Sequence, residues 1–259
     1  MRIDLHNHTY LCNHAEGTVN QYIEEAIKQK IDVFGFSDHA PMNFDPKYRM
    51  SFEQMPLYHQ MIHDAKREYS KDIAIKFAYE VDYLPGFMDD RILNAKVDYL
   101  IGSVHFIGDW GFDNPEFIGR YEHQDIDLIW KEYFDTIEAM AKSGHFDIVG
   151  HLDLIKVFKF LPKQDIRLLA KNALLAIKKA DMSVEINGAG LRKPIGETYP
   201  SKLLLEEVKS LDIPITFGSD AHAPEHVGLF TQETESLAKE LGFTHAASYE
   251  QRERSLFTF

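Results

Sequence analysis

Short runs of apolar residues alternate with longer amphipathic segments along the chain, and this alternation limits its fold more than any other feature. Several of the runs are apolar at consecutive positions, as expected of strands that are buried on both faces. Strands and helices that alternate in this way predict a parallel sheet with helical crossovers. The seven predicted strands cover residues 3–5, 33–36, 73–79, 99–104, 146–149, 183–186 and 214–217.

The segments between these runs have helical periodicity. Thr18 is the predicted N-cap of the first helix and Ser51 that of the second, because hydroxyl side chains accept hydrogen bonds from the free N–H groups of a first turn. The five predicted helices cover residues 19–30, 51–69, 126–142, 166–180 and 202–211. Seven strand-helix units suit a closed α/β barrel, and an open doubly wound sheet is the alternative.

The composition excludes several classes of protein. With 41 Asp and Glu against 28 Lys and Arg, the formal net charge is −13, so binding to nucleic acid or to an acidic membrane is not expected. A single cysteine excludes a disulfide framework and a Cys-rich zinc module. Because the sequence has neither the apolar stretch of a signal peptide nor a run long enough to span a membrane, a cytoplasmic location is expected.

Histidine is frequent, with 13 residues, and many of these histidines follow predicted strands. In an α/β barrel the ends of different strands meet on the C-terminal face, which gathers their side chains at one place. His6 and His8 are two residues apart, as are Asp220 and His222, so each pair points to one side of its strand. The nine candidate metal ligands are His6, His8, His14, His39, Glu80, His105, His151, Asp220 and His222.

This set of residue types predicts more than one metal ion. Imidazole and carboxylate without thiolate favour Zn, Mn or Fe. A single tetrahedral zinc ion uses at most four ligands, so the candidates predict two or three divalent ions with a carboxylate such as Glu80 bridging two of them. The sixth strand ends in Asn187 and supplies no ligand. Six histidines are predicted to lie outside the site, although His226 follows His222 closely enough to overhang it: His59, His63, His123, His145, His226 and His245.

This pattern resembles the polymerase and histidinol phosphatase (PHP) family over nearly the whole chain. The resemblance implies a single PHP-type domain over residues 1–259, folded as a distorted, TIM-barrel-like (β/α)7 barrel with a trinuclear metal centre. It also implies a division of the ligands among three ions. His6, His8, Glu80 and Asp220 would hold the first, Glu80, His105 and His151 the second, and His14, His39 and His222 the third.

Two further segments, residues 150–156 and 187–201, resemble the histidinol-phosphatase branch of this family. The resemblance implies hydrolysis of L-histidinol phosphate in histidine biosynthesis, with Arg192 and Lys156 binding the substrate phosphate. One departure is Gly188, which stands where a hydroxyl residue is expected. Trp110, Phe112 and Glu116 follow the fourth strand and are candidates either for recognising the imidazole and amine or for a purely structural loop.

The expected chemistry is hydrolysis of a phosphate monoester by a hydroxide that bridges two metal ions. Three divalent ions, less two carboxylates and one hydroxide, leave a charge of roughly +3, which accepts a phosphate dianion in spite of the acidic chain. Glu80 is the expected bridge and Asp220 the expected proton acceptor. His222 is a candidate proton donor to the leaving alcohol, with a metal-bound water as the alternative.

Three other functions compete with this prediction. The first is a PHP-family phosphoesterase that acts on small nucleotides or other phosphate monoesters. The second is a metal-dependent amidohydrolase acting on C–N bonds, which the ligands for a third ion and the anion-binding Arg192 argue against. The third is a non-enzymatic metal-binding module, which requires a saturated metal shell. The predicted partner is therefore a small-molecule phosphate monoester.

Overall fold

The computed structural model describes residues 1–259 and has eleven strands and seven α-helices. The strands are β1 (Ile3–Asp4), β2 (Val33–His39), β3 (Ala74–Asp82), β4 (Tyr99–Ser103), β5 (Phe106–Ile107), β6 (Trp110–Gly111), β7 (Ile148–Val149), β8 (Ser183–Asn187), β9 (Ile215–Gly218), β10 (His245–Glu250) and β11 (Glu253–Thr258). The helices are α1 (Val19–Lys28), α2 (Met55–Glu68), α3 (Asp90–Leu93), α4 (Ile126–Ser143), α5 (Ile166–Lys179), α6 (Lys202–Ser210) and α7 (Thr231–Glu240).

Seven parallel strands, all at predicted positions, form the centre of the molecule in the order β1-β2-β3-β4-β7-β8-β9. Backbone hydrogen bonds also connect the two outer members of this series. The N–H of Leu5 donates to the carbonyl of Phe217 at 2.9 Å, and the N–H of Asp220 donates to the carbonyl of His6 at 2.8 Å. These bonds join β1 to β9, and the predicted distorted α/β barrel is confirmed.

The five predicted helices are present, and their caps show why they begin where they do. Thr18 and Gln21 form a reciprocal capping box at α1, in which the Thr18 hydroxyl accepts from the Gln21 N–H at 3.3 Å and the Gln21 side chain accepts from the Thr18 N–H at 2.8 Å. At the second predicted helix, Ser51 opens one 3-10 turn that leads into α2. These caps satisfy backbone donors that have no partner within the helix.

Several elements have no counterpart in the prediction, namely α3, α7, the small β5–β6 hairpin and the C-terminal β10–β11 hairpin. β10 extends the sheet beyond β9 through the parallel pair Ala246 and Ile215, and β11 pairs with β10 in antiparallel register. The residues of β10 and β11 are mostly small, polar or charged. Strands of that composition lack the apolar run that identifies the barrel strands.

One hydrophobic core extends through the barrel and beneath the surrounding helices. It comprises 66 buried residues between Ile3 and Tyr249. Burial of this apolar surface is the main favourable contribution to folding, and it holds the carboxyl ends of the strands in fixed positions. None of the helices combines the length and the apolar character that a membrane-spanning helix requires.

Candidate metal centre and active site

The nine predicted ligands meet at the carboxyl ends of the barrel strands, and together they are called the ligand cluster below. Four groups of three within the cluster place one ligand atom of each member within 4.8 Å of the others. The groups are His6, His8 and Glu80; His6, His151 and Asp220; Glu80, His105 and His151; and His14, His39 and His222. Every predicted ligand belongs to at least one group, so the chain folds all nine into one site.

Glu80 lies at the middle of the ligand cluster and is 1% exposed. Its Oε2 lies 3.0 Å from His39 Nδ1 and 3.3 Å from His6 Nε2. Its Oε1 lies 2.9 Å from His151 Nε2 and 3.6 Å from His105 Nε2. His8 Nε2 also lies 3.7 Å from Oε2, so the two carboxylate oxygens face different sets of imidazoles, three at Oε2 and two at Oε1. This arrangement suits a carboxylate shared by two metal ions.

Asp220 is the second carboxylate of the ligand cluster and lies two residues after the end of β9. Its Oδ1 lies 3.2 Å from His8 Nε2 and 3.9 Å from His6 Nε2. Its backbone is in the left-handed region, with φ of 51°, where residues other than glycine are uncommon. The amide of Asn187 donates to its Oδ2 at 3.3 Å, and the ring of His222 stacks on His8 with centroids 4.0 Å apart.

A second layer of acceptors orients the imidazoles. When Nδ1 of an imidazole donates its proton to such an acceptor, Nε2 is left with a free lone pair for a metal ion. Four members of the ligand cluster have this arrangement. The pairs are His6 with Glu185 (2.7 Å), His105 with Asp82 (2.6 Å), His14 with the carbonyl of Cys12 (2.9 Å) and His222 with the carbonyl of Asp220 (3.1 Å).

Glu185 belongs to the site although it is not among the residues predicted from the sequence, where only Asn187 marks the end of the sixth strand. Glu185 is 1% exposed on β8. Besides binding His6, its Oε2 accepts the N–H of His151 at 2.8 Å and the amide of Asn187 at 3.1 Å. A glutamate two residues before Asn187 points to the same side of the strand, and this spacing was the available signal.

Asp82 is held in turn by a buried arginine. Arg49 is 4% exposed, and its Nη1 donates to Asp82 Oδ2 at 2.9 Å. Burial raises the pKa of the Asp82 carboxyl, but the charges of His105 and Arg49 outweigh it and lower that pKa. Asp82 is therefore an anion that can orient His105 towards the ligand cluster.

The electrostatics of the ligand cluster fit bound cations. Burial lowers the pKa of His6, but the charges of Glu185 and Glu80 outweigh it and hold that pKa well above its usual range. Burial raises the pKa of Glu80, yet His6 and His39 hold it well below its usual range. Burial lowers the pKa of His39 to about 4, so this imidazole is neutral and available as a ligand at neutral pH.

Two buried atoms at the centre of the ligand cluster show most directly that a cation fits there. His6 Nε2 and Glu80 Oε2 lie 3.3 Å apart, and neither has a hydrogen bond. The raised pKa of His6 means that, without an ion, Nε2 holds a second proton that faces Glu80. Once that proton is lost, the two atoms direct lone pairs at each other, which is costly for buried polar groups. A cation between them removes that cost. The imidazole and carboxylate donors thus fit Zn, Mn or Fe.

A cavity of about 780 Å³ opens over the ligand cluster. One side, the basic wall, follows β8 and β9 and consists of Arg192, Lys193 and His226. The other side, the acidic wall, combines carboxylates with aromatic rings from the segments after β2 and β4. Its members are Phe44, Asp45, Tyr48, Phe106, Asp109, Asp113 and Phe117, and the cation of Arg49 lies among them.

The two basic residues predicted to bind phosphate have different surroundings. Arg192 lines the cavity, where its Nη1 donates to the carbonyl of Ser219 at 2.8 Å and its Nη2 to the carbonyl of Asp220 at 2.9 Å. Its remaining N–H groups are free for a ligand. Lys156 is 1% exposed and is absent from the cavity lining.

The ammonium of Lys156 has three oxygen partners of its own. They are Asp153 Oδ2 at 3.0 Å, Glu197 Oε2 at 3.1 Å and the carbonyl of Thr198 at 2.8 Å. The contacts to Glu197 and Thr198 are hydrogen bonds and the contact to Asp153 is an ion pair, so the ammonium is already engaged by groups of this chain. The structure therefore gives no support to the predicted contact between Lys156 and phosphate.

The other candidates from the sequence are mostly structural or remote. Trp110 and Phe112 are buried in the core, and Glu116 is exposed and lies 3.7 Å from Lys47. His59 and His63 line a separate cleft beside α2. Of the six histidines predicted to lie outside the site, His226 lines the cavity.

Comparisons with known proteins agree with this geometry. Residues 4–189 match the family model described as PHP domain, and residues 205–246 match the one described as PHP-associated. The chain is 38% identical over 230 residues to a probable histidinol-phosphatase of Deinococcus radiodurans, covering 87% of this chain and 88% of that protein. It is 32% identical over 257 residues to the histidinol-phosphatase of Bacillus subtilis, covering 87% and 95%.

Solved structures show a similar fold. HisK from Listeria monocytogenes superposes with a TM-score of 0.79 at 25% identity, covering 89% of this chain and 99% of that chain. Histidinol phosphate phosphatase from Lactococcus lactis, crystallised with Zn, L-histidinol and phosphate, superposes with a TM-score of 0.80 at 23% identity, covering 98% of both chains. At this identity the second likeness establishes the fold alone.

Proposed function

Because the chain belongs to the PHP domain family, we propose that it is a metal-dependent phosphomonoesterase that hydrolyses L-histidinol phosphate to L-histidinol and phosphate. The observation that carries the proposal is the ligand cluster at the base of a cavity that also presents Arg192. The two relatives at 38% and 32% identity, both named histidinol-phosphatases, support the choice of substrate.

The proposed metal centre holds two or three divalent ions, divided among the ligands as the family resemblance implies. The geometry supports a bridging role for Glu80, because its two oxygens face different imidazoles. His14, His39 and His222 supply the proposed third position. Ions held by these residues would lower the pKa of a water molecule, which supplies the proposed bridging hydroxide, and would neutralise charge on the phosphoryl group.

Arg192 is the proposed phosphate-binding side chain. Two backbone carbonyls fix its guanidinium beside Asp220, so little reorganisation is needed when an anion binds. Donors that are already in place where negative charge develops stabilise a transition state efficiently. A planar guanidinium can also bind two phosphate oxygens at once.

Asp220 and His222 are the proposed residues for moving protons. Asp220 Oδ1 lies 3.2 Å from His8 Nε2 and 3.5 Å from His222 Nδ1, within a network that can accept the proton of the attacking water. His222 lines the cavity, and its side chain is 25% exposed. Its Nδ1 lies 3.1 Å from the carbonyl of Asp220, and burial holds the pKa of its imidazole well below the usual range. Its proposed part is therefore to relay a proton within this network as a neutral imidazole, and not to protonate the leaving alkoxide as an imidazolium.

The proposed catalytic unit is the whole chain, acting as one domain over residues 1–259. One core joins residues from Ile3 to Tyr249, and ligands come from β2 and β3 as well as from the segments after β1, β4, β7 and β9. Removing either end of the chain would therefore remove ligands or their supporting strands.

The cavity walls favour histidinol phosphate over the competing substrates. A nucleoside phosphate offers a planar base but no ammonium, whereas the acidic wall offers the carboxylate of Asp113, which has no ion-pair partner, beside its aromatic rings. An amidohydrolase substrate carries no phosphate and leaves the basic wall without a partner. A small zwitterion with a ring at one end matches both walls.

The test is metal analysis together with a panel of phosphate monoesters. We expect two or three divalent ions per chain and a higher kcat/KM for L-histidinol phosphate than for nucleoside monophosphates or p-nitrophenyl phosphate. A preparation that is fully active with one ion per chain would contradict the proposed centre. A preference for nucleotides would contradict the proposed substrate.

A further inference from the structure

One carboxylate in the cavity has no directly bonded counter-charge from this chain. Asp113 lines the acidic wall, and no other side chain forms a hydrogen bond or an ion pair with it. The two other carboxylates of that wall are paired, since Asp45 lies 3.8 Å from Arg49 and Asp109 lies 3.1 Å from Arg120. Burial raises the pKa of the Asp113 carboxyl, although the charge of His105 opposes that rise, so a cationic ligand would stabilise its ionised form.

The backbone around Asp113 is held firmly. The preceding residue, Phe112, is fully buried and packs edge-on against Tyr133 with ring centroids 5.4 Å apart. Trp110 packs against Tyr121 at 4.6 Å, and the Tyr121 hydroxyl donates to the carbonyl of Phe112 at 3.3 Å. Trp110 and Phe112 both belong to the core. The backbone that leads into Asp113 is therefore held in place beside the cavity.

A second unpartnered group lines the same cavity. Tyr199 is 1% exposed, and its hydroxyl is buried without a hydrogen bond. Burial, and then the charges of nearby carboxylates that include Asp113, raise the pKa of this hydroxyl. Tyr199 therefore stays neutral, and its oxygen can accept a hydrogen bond. Asp113 and Tyr199 line the same cavity, and the Asp113 charge acts on the Tyr199 hydroxyl. A carboxylate and a hydroxyl oxygen in this relation suit a group that is both cationic and rich in N–H donors.

Asp113 does not belong to the ligand cluster. No group of ligand atoms within 4.8 Å of one another includes it, although its charge is close enough to act on His105. It is thus placed beside the proposed metal centre and outside it. The cation it suits is part of the substrate and not another metal ion.

We propose that Asp113, assisted by the Tyr199 hydroxyl, binds the ammonium group of the substrate and selects phosphate monoesters that carry an amine close to the ester. The inference rests on the proposed function, because L-histidinol phosphate carries such an amine. The ligand cluster and Arg192 would hold the phosphate end, and Asp113 would hold the cationic end. The substrate would then be oriented by charges of opposite sign.

The experiment compares L-histidinol phosphate with 3-(imidazol-4-yl)propyl phosphate, which lacks only the amine and the stereocentre. In Asp113→Asn, kcat/KM for L-histidinol phosphate should fall by roughly 100-fold, mainly through KM, because a buried charge-assisted bond is lost. The amine-free ester should be hydrolysed at the wild-type rate. Metal content should be unchanged.

Asp109→Asn is the matched control, because it removes the same charge from the same wall at a side chain that is 83% exposed and paired with Arg120. It should keep the wild-type preference for the amine. Asp113→Glu should recover part of the preference. Tyr199→Phe is a second, independent variant that should lower the preference by a smaller factor, about 5-fold.

The inference is overturned if Asp113→Asn and Tyr199→Phe slow both esters equally, or if neither variant changes the preference. Failure of the proposed function has a different signature, in which the wild-type protein does not prefer L-histidinol phosphate. In that case 2-aminoethyl phosphate and ethyl phosphate replace the two imidazole esters. Loss of the preference for the amine in Asp113→Asn still supports the ammonium site, and an unchanged preference overturns it.

Discussion

The ligand cluster and the acidic wall of the same cavity differ in how their side chains are held. Glu185 and Asp82 hold His6 and His105 through Nδ1, so these imidazoles have one orientation whether or not a substrate is present. On the acidic wall, Asp113 has no partner and Asp109 is largely exposed. In the proposed function, metal ions complete the cluster and the substrate completes the wall, so mutations should separate metal binding from substrate selection.

The largest effect is expected at the centre of the cluster. Glu80→Gln leaves the shape but removes the charge and one of the two oxygens that face different sets of imidazoles. We expect lower metal content and a fall in kcat of about 10³-fold or more, since metal ions supply several kcal/mol of transition-state stabilisation. Metal analysis and steady-state kinetics on the same sample measure both quantities.

The matched control for Glu80→Gln is Glu116→Gln, which makes the same change on an exposed side chain of the loop that follows the acidic wall. That variant should keep wild-type metal content and activity. A Glu80→Gln protein with full metal content and an unchanged rate would remove the bridging role assigned to Glu80.

A substitution at Arg192 tests whether phosphate binding can be lost without loss of metal, because Arg192 lines the cavity and is fixed beside Asp220, a member of the cluster. Arg192→Ala should lower kcat/KM by about 100-fold, as expected when a preorganised donor to the phosphoryl group is lost. It should also weaken inhibition by inorganic phosphate while metal content stays the same. Its exposed neighbour Lys193 provides the control, since Lys193→Ala should have a much smaller effect. Unchanged phosphate inhibition in Arg192→Ala would exclude the proposed contact.

The contrast between cluster and wall also separates what can be predicted from the sequence from what cannot. A polar residue that directly follows an apolar strand has its position set by the strand, because carboxyl ends of parallel strands share one face. For that reason the strand pattern alone assigns His39, Glu80 and His105 to one site. Whether they hold ions stays a prediction, since the structure shows their juxtaposition only.

Residues whose role depends on partners far along the chain could not be assigned in this way. Asp113 lies in a loop whose path depends on the burial of Trp110 and Phe112, and short-range periodicity does not predict such packing. Lys156 is next to a ligand-bearing segment, but its partner Glu197 is 41 residues away. The β10–β11 hairpin escapes prediction because its residues lack an apolar run.

A smaller effect is expected from the layer behind the cluster. Glu185 accepts hydrogen bonds from the His6 ring, the His151 N–H and the Asn187 amide. In Glu185→Gln, an NH2 group must face one of these donors, so the orientation of His6 is weakened. We expect metal affinity to fall by about 10-fold to 100-fold, measured by competition with a chelator.

Glu250→Gln, on an exposed side chain of β10, is the control. Equal chelator resistance in both variants would contradict an orienting role for Glu185.

The smallest effect on catalysis is expected at Lys156, although its effect on stability should be large. Its ammonium is buried against Asp153, which is also fully buried. Lys156→Met leaves that carboxylate without a counter-charge, and breaking a buried ion pair from one side costs about 3–5 kcal/mol. The free energy of unfolding in urea should therefore fall by that amount.

In the double variant Asp153→Asn with Lys156→Met, part of the loss should be recovered, because no uncompensated charge remains. The folded fraction of Lys156→Met should keep a wild-type KM for the substrate. A large rise in KM without loss of stability would contradict this structural role. It would instead indicate that Lys156 binds the substrate phosphate together with Arg192.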